Sequence, residues 1–545
     1  MESQKVFEWT DAHFCSLSSQ TNIYGMQKLR TEKNTKKFLV SSLDSSFLSV
    51  EYQKIGDRVT PLTKGIQFAH IPVPGDAEIV SISAFERLPP RKGLVVGITY
   101  VMLQEQEAKP KTQVLNIYSA VLTEEEDDDS GKENKLEIVA DSCQSNSLTF
   151  IPFILTNTEV TLEDGRSEPV FLLSGSDFKI HVYQEQPLSP LGVMEVPSEN
   201  FFPEFQDLAC NVLQLEITKP VPHQRLTALG FEDGTIRLHL VDTRKNEMLK
   251  DWSAMMDSPV TSLHFFTQQK IVPIPPCLEN ASDDASQNSN TEEDAASLKI
   301  NLLMTTALEP AVVYRDVMTH GLSEFLSLPN SEKYDSALCS LAADIDFDGQ
   351  HELLVGTYGQ ELLTYKFYPT AEKWVPVSPP ELAPHNTLQP MDEPTNGNDS
   401  PQFAEQCDES GKQRHKSDEG EGAKKGLEHR KVKSQEDLMS WMGDRNLHPD
   451  YSSDRTDQDP LELRTVPEPH YKLLWQHSFP CPLMGLDSAE MMGDGIENLV
   501  VLTTHGLHVM QPDMNEVAQL IENRMLQMVA SGPDAGDEFH KLQVE

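Results

Sequence analysis

A pattern of apolar and polar positions recurs along this chain. Each copy begins with a run of apolar or small residues that leads to Gly, Ser or Thr, passes through a turn, and continues as an alternating segment. The apolar run predicts a β-strand covered on both faces, and the alternating segment predicts a strand covered on one face. Seven copies occur, at 38–52, 93–99 with 114–121, 171–183, 226–242, 302–317, 353–367 and 499–511.

Repetition at this scale predicts an all-β fold, a single seven-bladed β-propeller in which each copy is the inner hairpin of a blade. The Gly or Asp-Gly turns supply the positive φ that tight hairpins need. We expect blades one to six within 14–368 and the last blade within 471–512. Strand periodicity is also compatible with an open sandwich of regular hairpins, which remains the alternative fold.

The segments between the copies differ in composition from the predicted strands. Acidic loop insertions occupy 123–135 and 277–297, and 369–470 is rich in Pro, Ser and charged residues, with few aromatic ones. Such a segment buries too little apolar surface to offset its ordering entropy, so we predict a long disordered insertion at 369–470. Residues 513–531 predict a C-terminal amphipathic helix, and 532–545 a flexible tail. Leu520, Ile521 and Leu526 lie on the apolar stripe of this helix and are candidate docking residues.

The net charge of the chain limits the kinds of partner that it can bind. Acidic residues outnumber basic ones 86 to 44, a net charge of −42. A nucleic acid or an anionic membrane surface would repel such a protein, so we expect protein partners and only indirect membrane association. Seven cysteines without a CxxC pair favour free thiols, and no signal peptide or membrane span is evident. These features predict a soluble cytoplasmic protein.

Residues 343–353, ADIDFDGQHEL, hold the most distinctive polar cluster. Aspartates stand at alternate positions, a glycine follows the third, and a glutamate comes four residues after it. In calcium loops such carboxylates point inward, and the glycine allows a sharp turn. The candidate calcium ligands are Asp344, Asp346, Asp348, the Gln350 carbonyl and Glu352.

The spacing excludes an EF-hand, because position 12 is Val355. With strands predicted on both sides, the loop resembles the FG-GAP type of repeat found in integrin α-subunit propellers. That resemblance implies a calcium site, although the family usually ends in Asp where this chain has Glu352. The alternative is that the aspartates only cap backbone amides in a tight turn. A second GDG loop, at 490–498, has Met492 and Asn498 at ligand positions and predicts a degenerate site.

Catalytic motifs are missing from the sequence. No HExxH, GxSxG, Walker or GxGxxG motif occurs, and the histidines do not cluster with cysteines at zinc spacing. We therefore expect a non-enzymatic protein that requires no cofactor, with calcium at 344–352 as the one candidate ion.

Three further segments are candidates for interaction. Ser417 and Ser434 follow basic residues, as basophilic kinases prefer, within a segment that is otherwise an ordinary linker. Phe201, Phe202 and Phe205 either anchor an interface or pack between blades. The segment 28–37 offers either a cationic patch for acidic actin or a solvated hairpin loop. Its basic residues are Lys28, Arg30, Lys33, Lys36 and Lys37.

Several strings together resemble the kaptin family of cytoplasmic FG-GAP-like propeller proteins. They are SSQTNIYGM (18–26), GDAEIVSISAF (75–85), GLVVGIT (93–99), PVFLLSGSD (169–177), EPAVVYRDV (309–317) and VGTYGQELLTYK (355–366). The family implies a subunit of the KICSTOR complex, which holds the GATOR complex at the lysosome and restrains TOR signalling when amino acids or glucose are scarce. It also implies pairing with a second integrin-α-like propeller. Residues 369–470 lie outside the resemblance.

We therefore expect a scaffold subunit in nutrient signalling. The family is also associated with actin filaments in lamellipodia and stereocilia, which makes a cytoskeletal F-actin-binding role the alternative. A calcium-dependent adhesion module would need secretion and disulfides, and the sequence signals neither.

Overall fold

The computed structural model describes residues 8–30, 36–56, 58–89, 91–103, 112–119, 135–162, 165–186, 192–268, 299–369 and 469–530. Within these residues the chain forms seven antiparallel four-stranded sheets. In six of them the strands follow chain order from one edge of the sheet to the other. The predicted seven-bladed propeller is confirmed.

Each sheet is one blade. Blade one contains β2 (Met26–Arg30), β3 (Lys36–Ser41), β4 (Phe47–Ile55) and β5 (Arg58–Ile66), and blade two contains β6 (Ala77–Glu86), β7 (Leu94–Met102), β8 (Gln113–Ser119) and β9 (Cys143–Leu148). Blade three contains β10 (Pro152–Thr161), β11 (Ser167–Gly175), β12 (Lys179–Glu185) and β13 (Val193–Val196), and blade four contains β14 (Val212–Thr218), β15 (Gln224–Phe231), β16 (Thr235–Asp242) and β17 (Glu247–Met255).

Blade five contains β18 (Val260–Gln268), β19 (Lys299–Thr306), β20 (Val312–Tyr314) and β21 (Phe325–Ser327). Blade six contains β22 (Ala337–Ala343), β23 (Glu352–Thr357), β24 (Glu361–Tyr368) and β25 (His470–Ser478). Blade seven contains β26 (Leu483–Ala489), β27 (Asn498–Thr503), β28 (Gly506–Pro512) and β1 (Trp9–Ser16). The described α-helices are α1 (Lys135–Asp141), α2 (Val317–His320) and α3 (Met514–Ala530).

One edge strand of each sheet lies at the centre of the ring, next to the inner strands of the neighbouring sheets. These inner strands are β2, β6, β10, β14, β18, β22 and β26. Gln214 of β14 donates from its amide to the Thr261 carbonyl of β18 across 2.7 Å. Lys28 of β2 and Asp487 of β26 form an ion pair of 2.6 Å between the first and seventh blades. The ring is therefore closed, which decides against an open sandwich.

The core lies between adjacent sheets. Seven apolar clusters occur in the described part of the chain, and each joins two neighbouring blades. Strand β23 shows why the inner strands are apolar on both faces. Leu353 and Val355 pack toward blade five, whereas Leu354 packs toward blade seven. Alternate residues of one strand thus enter two different cores.

The blade boundaries differ from those expected at both ends of the chain. Strand β25 pairs with β24 and completes blade six, although we assigned 471–478 to the last blade. The outer strand of blade seven is instead β1, which pairs with β28. A local pattern does not reveal either pairing, because the partners are far apart in sequence. Joining the first and last segments in one sheet also fastens the two ends of the propeller together by strand pairing.

The helices only partly follow the sequence pattern. Helix α3 agrees with the amphipathic helix expected at 513–531. Helix α1 was not predicted; it follows the acidic insertion and packs Leu136, Val139 and Ala140 into the core between blades one and two. Among the described helices, none combines the length and the apolar character that a membrane crossing requires.

The described cysteines are free thiols, at Cys15, Cys143, Cys210, Cys339 and Cys481. The expected disordered insertion and flexible tail lie outside the described residues, except at their edges. So do the loop 277–297, most of 123–135, and both candidate phosphorylation sites, Ser417 and Ser434.

Candidate functional site

The aspartate loop joins β22 to β23, the inner hairpin of blade six, and its carboxylates bind backbone amides. Asp344 accepts hydrogen bonds from the amides of Asp348 (3.0 Å) and Gly349 (2.9 Å). Asp348 accepts from the Gln350 amide at 2.8 Å. Glu352 accepts from the Ile345 amide at 3.0 Å. These bonds are those expected of aspartates that cap a tight turn.

A lysine that the sequence analysis did not identify completes this cluster. The Nζ atom of Lys366, on β24, donates to one carboxylate oxygen each of Asp346 and Asp348, and to Glu352 Oε1 at 2.9 Å. Lys366 is only 2% exposed. The sequence of β24, ELLTYKFY, could have indicated this ion cluster, because a lysine within a run of buried residues requires acidic partners.

Burial and neighbouring negative charge raise the pKa of Asp344, Asp346 and Glu352. Burial, with the neighbouring charges of Asp348 and Asp346, raises the pKa of Asp344 to about 7. Burial disfavours the charged form of Lys366, but the carboxylates of Glu352, Asp346 and Asp348 outweigh it and raise the lysine pKa. The lysine is therefore a permanent cation at neutral pH.

The arrangement can be compared with what calcium requires. One oxygen from each of Asp344, Asp346 and Asp348 lies within 4.8 Å of the others. Calcium takes six to eight oxygens at about 2.3–2.6 Å. Here an ammonium group already binds Asp346, Asp348 and Glu352. The residues as they are placed fit an internal cation better than a metal ion.

The GDG loop joins β26 to β27 at the equivalent position in blade seven. Its amides make the same bonds, from Gly495 to Glu490 at 2.8 Å and from Ile496 to Asp494 at 3.0 Å. Asn498 accepts from the Met491 amide at 3.2 Å, where Glu352 accepts in blade six. The two loops therefore share one hydrogen-bonding pattern.

The basic segment does not form one exposed patch. Lys28 pairs with Asp487 inside the ring, and Lys37 pairs with Glu51 at 3.0 Å. Leu29 is opposite Lys37 in the β2–β3 register, so Lys28 and Lys37 point to opposite faces of the sheet. Lys36 is half-buried, and the side chains of Arg30 and Lys33 lie outside the described part.

The phenylalanine cluster packs between blades three and four rather than forming a docking surface. Phe202 and Phe205 are buried and stack at 4.6 Å between ring centroids. Arg225 lies over Phe202 and pairs with buried Glu204 at 2.9 Å. These contacts support the packing interpretation.

The helix α3 is held at one face and open at another. Val517 is buried, Leu520 is half-buried, and Arg524 donates to the Phe347 carbonyl of the aspartate loop. Ile521 and Leu526 are 51% and 52% exposed. The helix therefore presents apolar surface outward, as a docking element requires.

Comparison with known proteins places the chain in a family. The family described as KICSTOR complex protein kaptin matches residues 9–384 and 455–522. The mouse (Mus musculus) KICSTOR complex protein kaptin is 31% identical over 519 residues, covering 95% of this chain and 91% of that protein.

Crystal structures of BBS1N in complex with ARL6DN, soaked with mercury or lead, are also similar. They are 7% and 8% identical, with a TM-score of 0.41 for each, and cover 94% and 93% of this chain and 98% and 97% of theirs. A TM-score this low supports no conclusion about function. The family match covers the strands of all seven blades. The chain therefore belongs to the kaptin family.

Proposed function

We propose that this protein is a non-catalytic scaffold subunit of a KICSTOR complex. In that role it helps hold the GATOR complex at the lysosome and restrains TOR signalling when amino acids or glucose are scarce. The observation that carries the proposal is the family match across residues 9–384 and 455–522, which includes nearly all of the described propeller. A closed ring suits this role, because it presents loops on two faces from a rigid body.

Helix α3 is the surface we assign to partner docking. Ile521, Met525 and Leu526 are each more than half exposed, on a helix that Val517 and Arg524 hold against the propeller. Exposed apolar side chains on a fixed helix fit the groove of a partner protein. The partner expected there is another KICSTOR subunit, such as the second integrin-α-like propeller.

The experiment is affinity purification of the full chain from fed and starved cells, followed by mass spectrometry. We expect KICSTOR and GATOR subunits to be recovered with the wild-type chain. Ile521→Glu with Leu526→Glu should reduce that recovery at least about tenfold, since charges on an apolar contact are strongly unfavourable. TOR activity should then stay high during starvation.

Leu308→Glu is the matched control, because Leu308 is 77% exposed in the turn between β19 and β20, away from α3. That variant should keep its partners. Recovery of actin-filament components without lysosomal signalling subunits would favour the cytoskeletal alternative instead. Direct actin binding has less support, because Lys28 and Lys37 are each engaged in an ion pair.

A further inference from the structure

The ammonium group of Lys366 occupies the centre of the aspartate loop. It binds Asp346, Asp348 and Glu352, three of the residues that would otherwise surround a calcium ion. A calcium ion there would have to displace the Lys366 ammonium group or lie beside it. Two positive charges bound to the same carboxylates would repel each other strongly. We infer that Lys366 supplies from within the chain the positive charge that calcium supplies in FG-GAP loops, so that this loop needs no metal.

The strand register explains how the lysine reaches the loop. Leu353 is opposite Tyr365 in the β23–β24 pair, so the next position outward sets Glu352 opposite Lys366. Glu352 is fully buried. A buried carboxylate without a partner is strongly destabilising, and the cross-strand lysine provides that partner.

Blade seven provides a comparison within the same molecule. Leu499 is opposite Met510 in the β27–β28 pair, so the equivalent next position sets Asn498 opposite Gln511. Asn498 is as buried as Glu352, but it is neutral. In blade six, where the buried residue is the carboxylate Glu352, the residue opposite it is a lysine. In blade seven, where the buried residue is the neutral Asn498, the residue opposite it is the neutral Gln511.

The same loop anchors the C-terminal helix. Phe347 lies between two lysine-bound aspartates and has a left-handed backbone, with φ of 57°. Its carbonyl accepts a hydrogen bond from Arg524 of α3. Lys366 holds Asp346 and Asp348 on either side of this carbonyl. It therefore also positions the carbonyl group to which α3 is attached.

The test is thermal unfolding of the isolated full chain in EDTA and in millimolar calcium chloride. Wild-type protein should unfold at the same temperature in both solutions. Lys366→Met should unfold several degrees lower in EDTA and recover in calcium, because the freed carboxylates then bind the ion. Hydrogen exchange of Met514–Leu526 should be faster in this variant in EDTA and slower again in calcium.

Lys472→Met is the matched control. Lys472 is the exposed cross-strand partner of Lys366 on β25, and its loss should change neither stability nor the response to calcium. Calcium that stabilises the wild-type chain would overturn the inference, and this measurement does not depend on whether a variant folds. A Lys366→Met protein that calcium fails to rescue would overturn it as well. Neither measurement involves KICSTOR partners, so the proposed function is tested separately.

Discussion

The inner hairpins of blades six and seven carry loops of the same hydrogen-bonding pattern but different charge. In each loop the first acid accepts from the glycine amide, and the residue that begins the next strand accepts from an amide early in the loop. Of the two loops, the one in blade six adds partly buried aspartates, a buried glutamate and a buried lysine that binds them. The shape of the loop thus comes from backbone capping, and the cation is needed only where carboxylates accumulate.

The largest effect should come from removing the cation. Lys366→Met in metal-free buffer should lower the free energy of unfolding by about 3–5 kcal/mol, because it leaves buried carboxylates unpaired. Chemical denaturation with EDTA present measures this loss.

A triple variant sharpens that comparison. Asp346→Met, Glu352→Asn and Lys366→Gln together copy the residues that blade seven has at these positions. The triple variant should lose less than the single one, although it changes more residues. A triple variant less stable than Lys366→Met would show that the cluster contributes more than charge compensation.

The reverse change in blade seven should also be costly. Asn498 is fully buried, so Asn498→Glu places an unpaired carboxylate in the core and should cost about 3 kcal/mol. Adding Gln511→Lys should recover part of that loss by recreating the blade-six pair. The same denaturation experiment reads both variants, and failure of the lysine to help would contradict the proposed register.

Acid should stabilise blade six by a smaller amount. The pKa of Asp344 is about 7 in the folded chain and 3.8 for the free side chain, so the folded state binds this proton more tightly. Stability therefore rises as pH falls through 7, by at most about 1.4 kcal/mol between pH 8 and pH 6. The measurement is the difference between wild type and Asp344→Asn at the two pH values. A difference that does not change with pH would mean that Asp344 titrates normally.

The smallest global effect should come from the helix anchor. Arg524→Met removes the bond to the Phe347 carbonyl and should cost about 1 kcal/mol. Hydrogen exchange of α3 should quicken while that of β23 does not change. Equal exchange in α3 with and without Arg524 would mean that other contacts, such as those of Val517 and Glu516, hold the helix.

Much of the architecture could be read from the sequence. The apolar runs of strands such as β23, the seven hairpins, the amphipathic α3 and the convergence of Asp344, Asp346 and Asp348 all come from residues close together in the chain. Local spacing determines which residues share a face of a strand and which turn a loop makes.

The tertiary structure decided what depends on distant residues. Strand β1 completes blade seven through partners such as Thr10 and Gln511, which are 501 positions apart. Lys28 joins Asp487 rather than a surface patch, and Phe202 enters a core. Glu352 and Lys366 meet because the hairpin register sets them opposite each other, 14 residues apart. A charge is neutralised by whatever lies nearest in space, and strand pairing, not sequence distance, determines that neighbour.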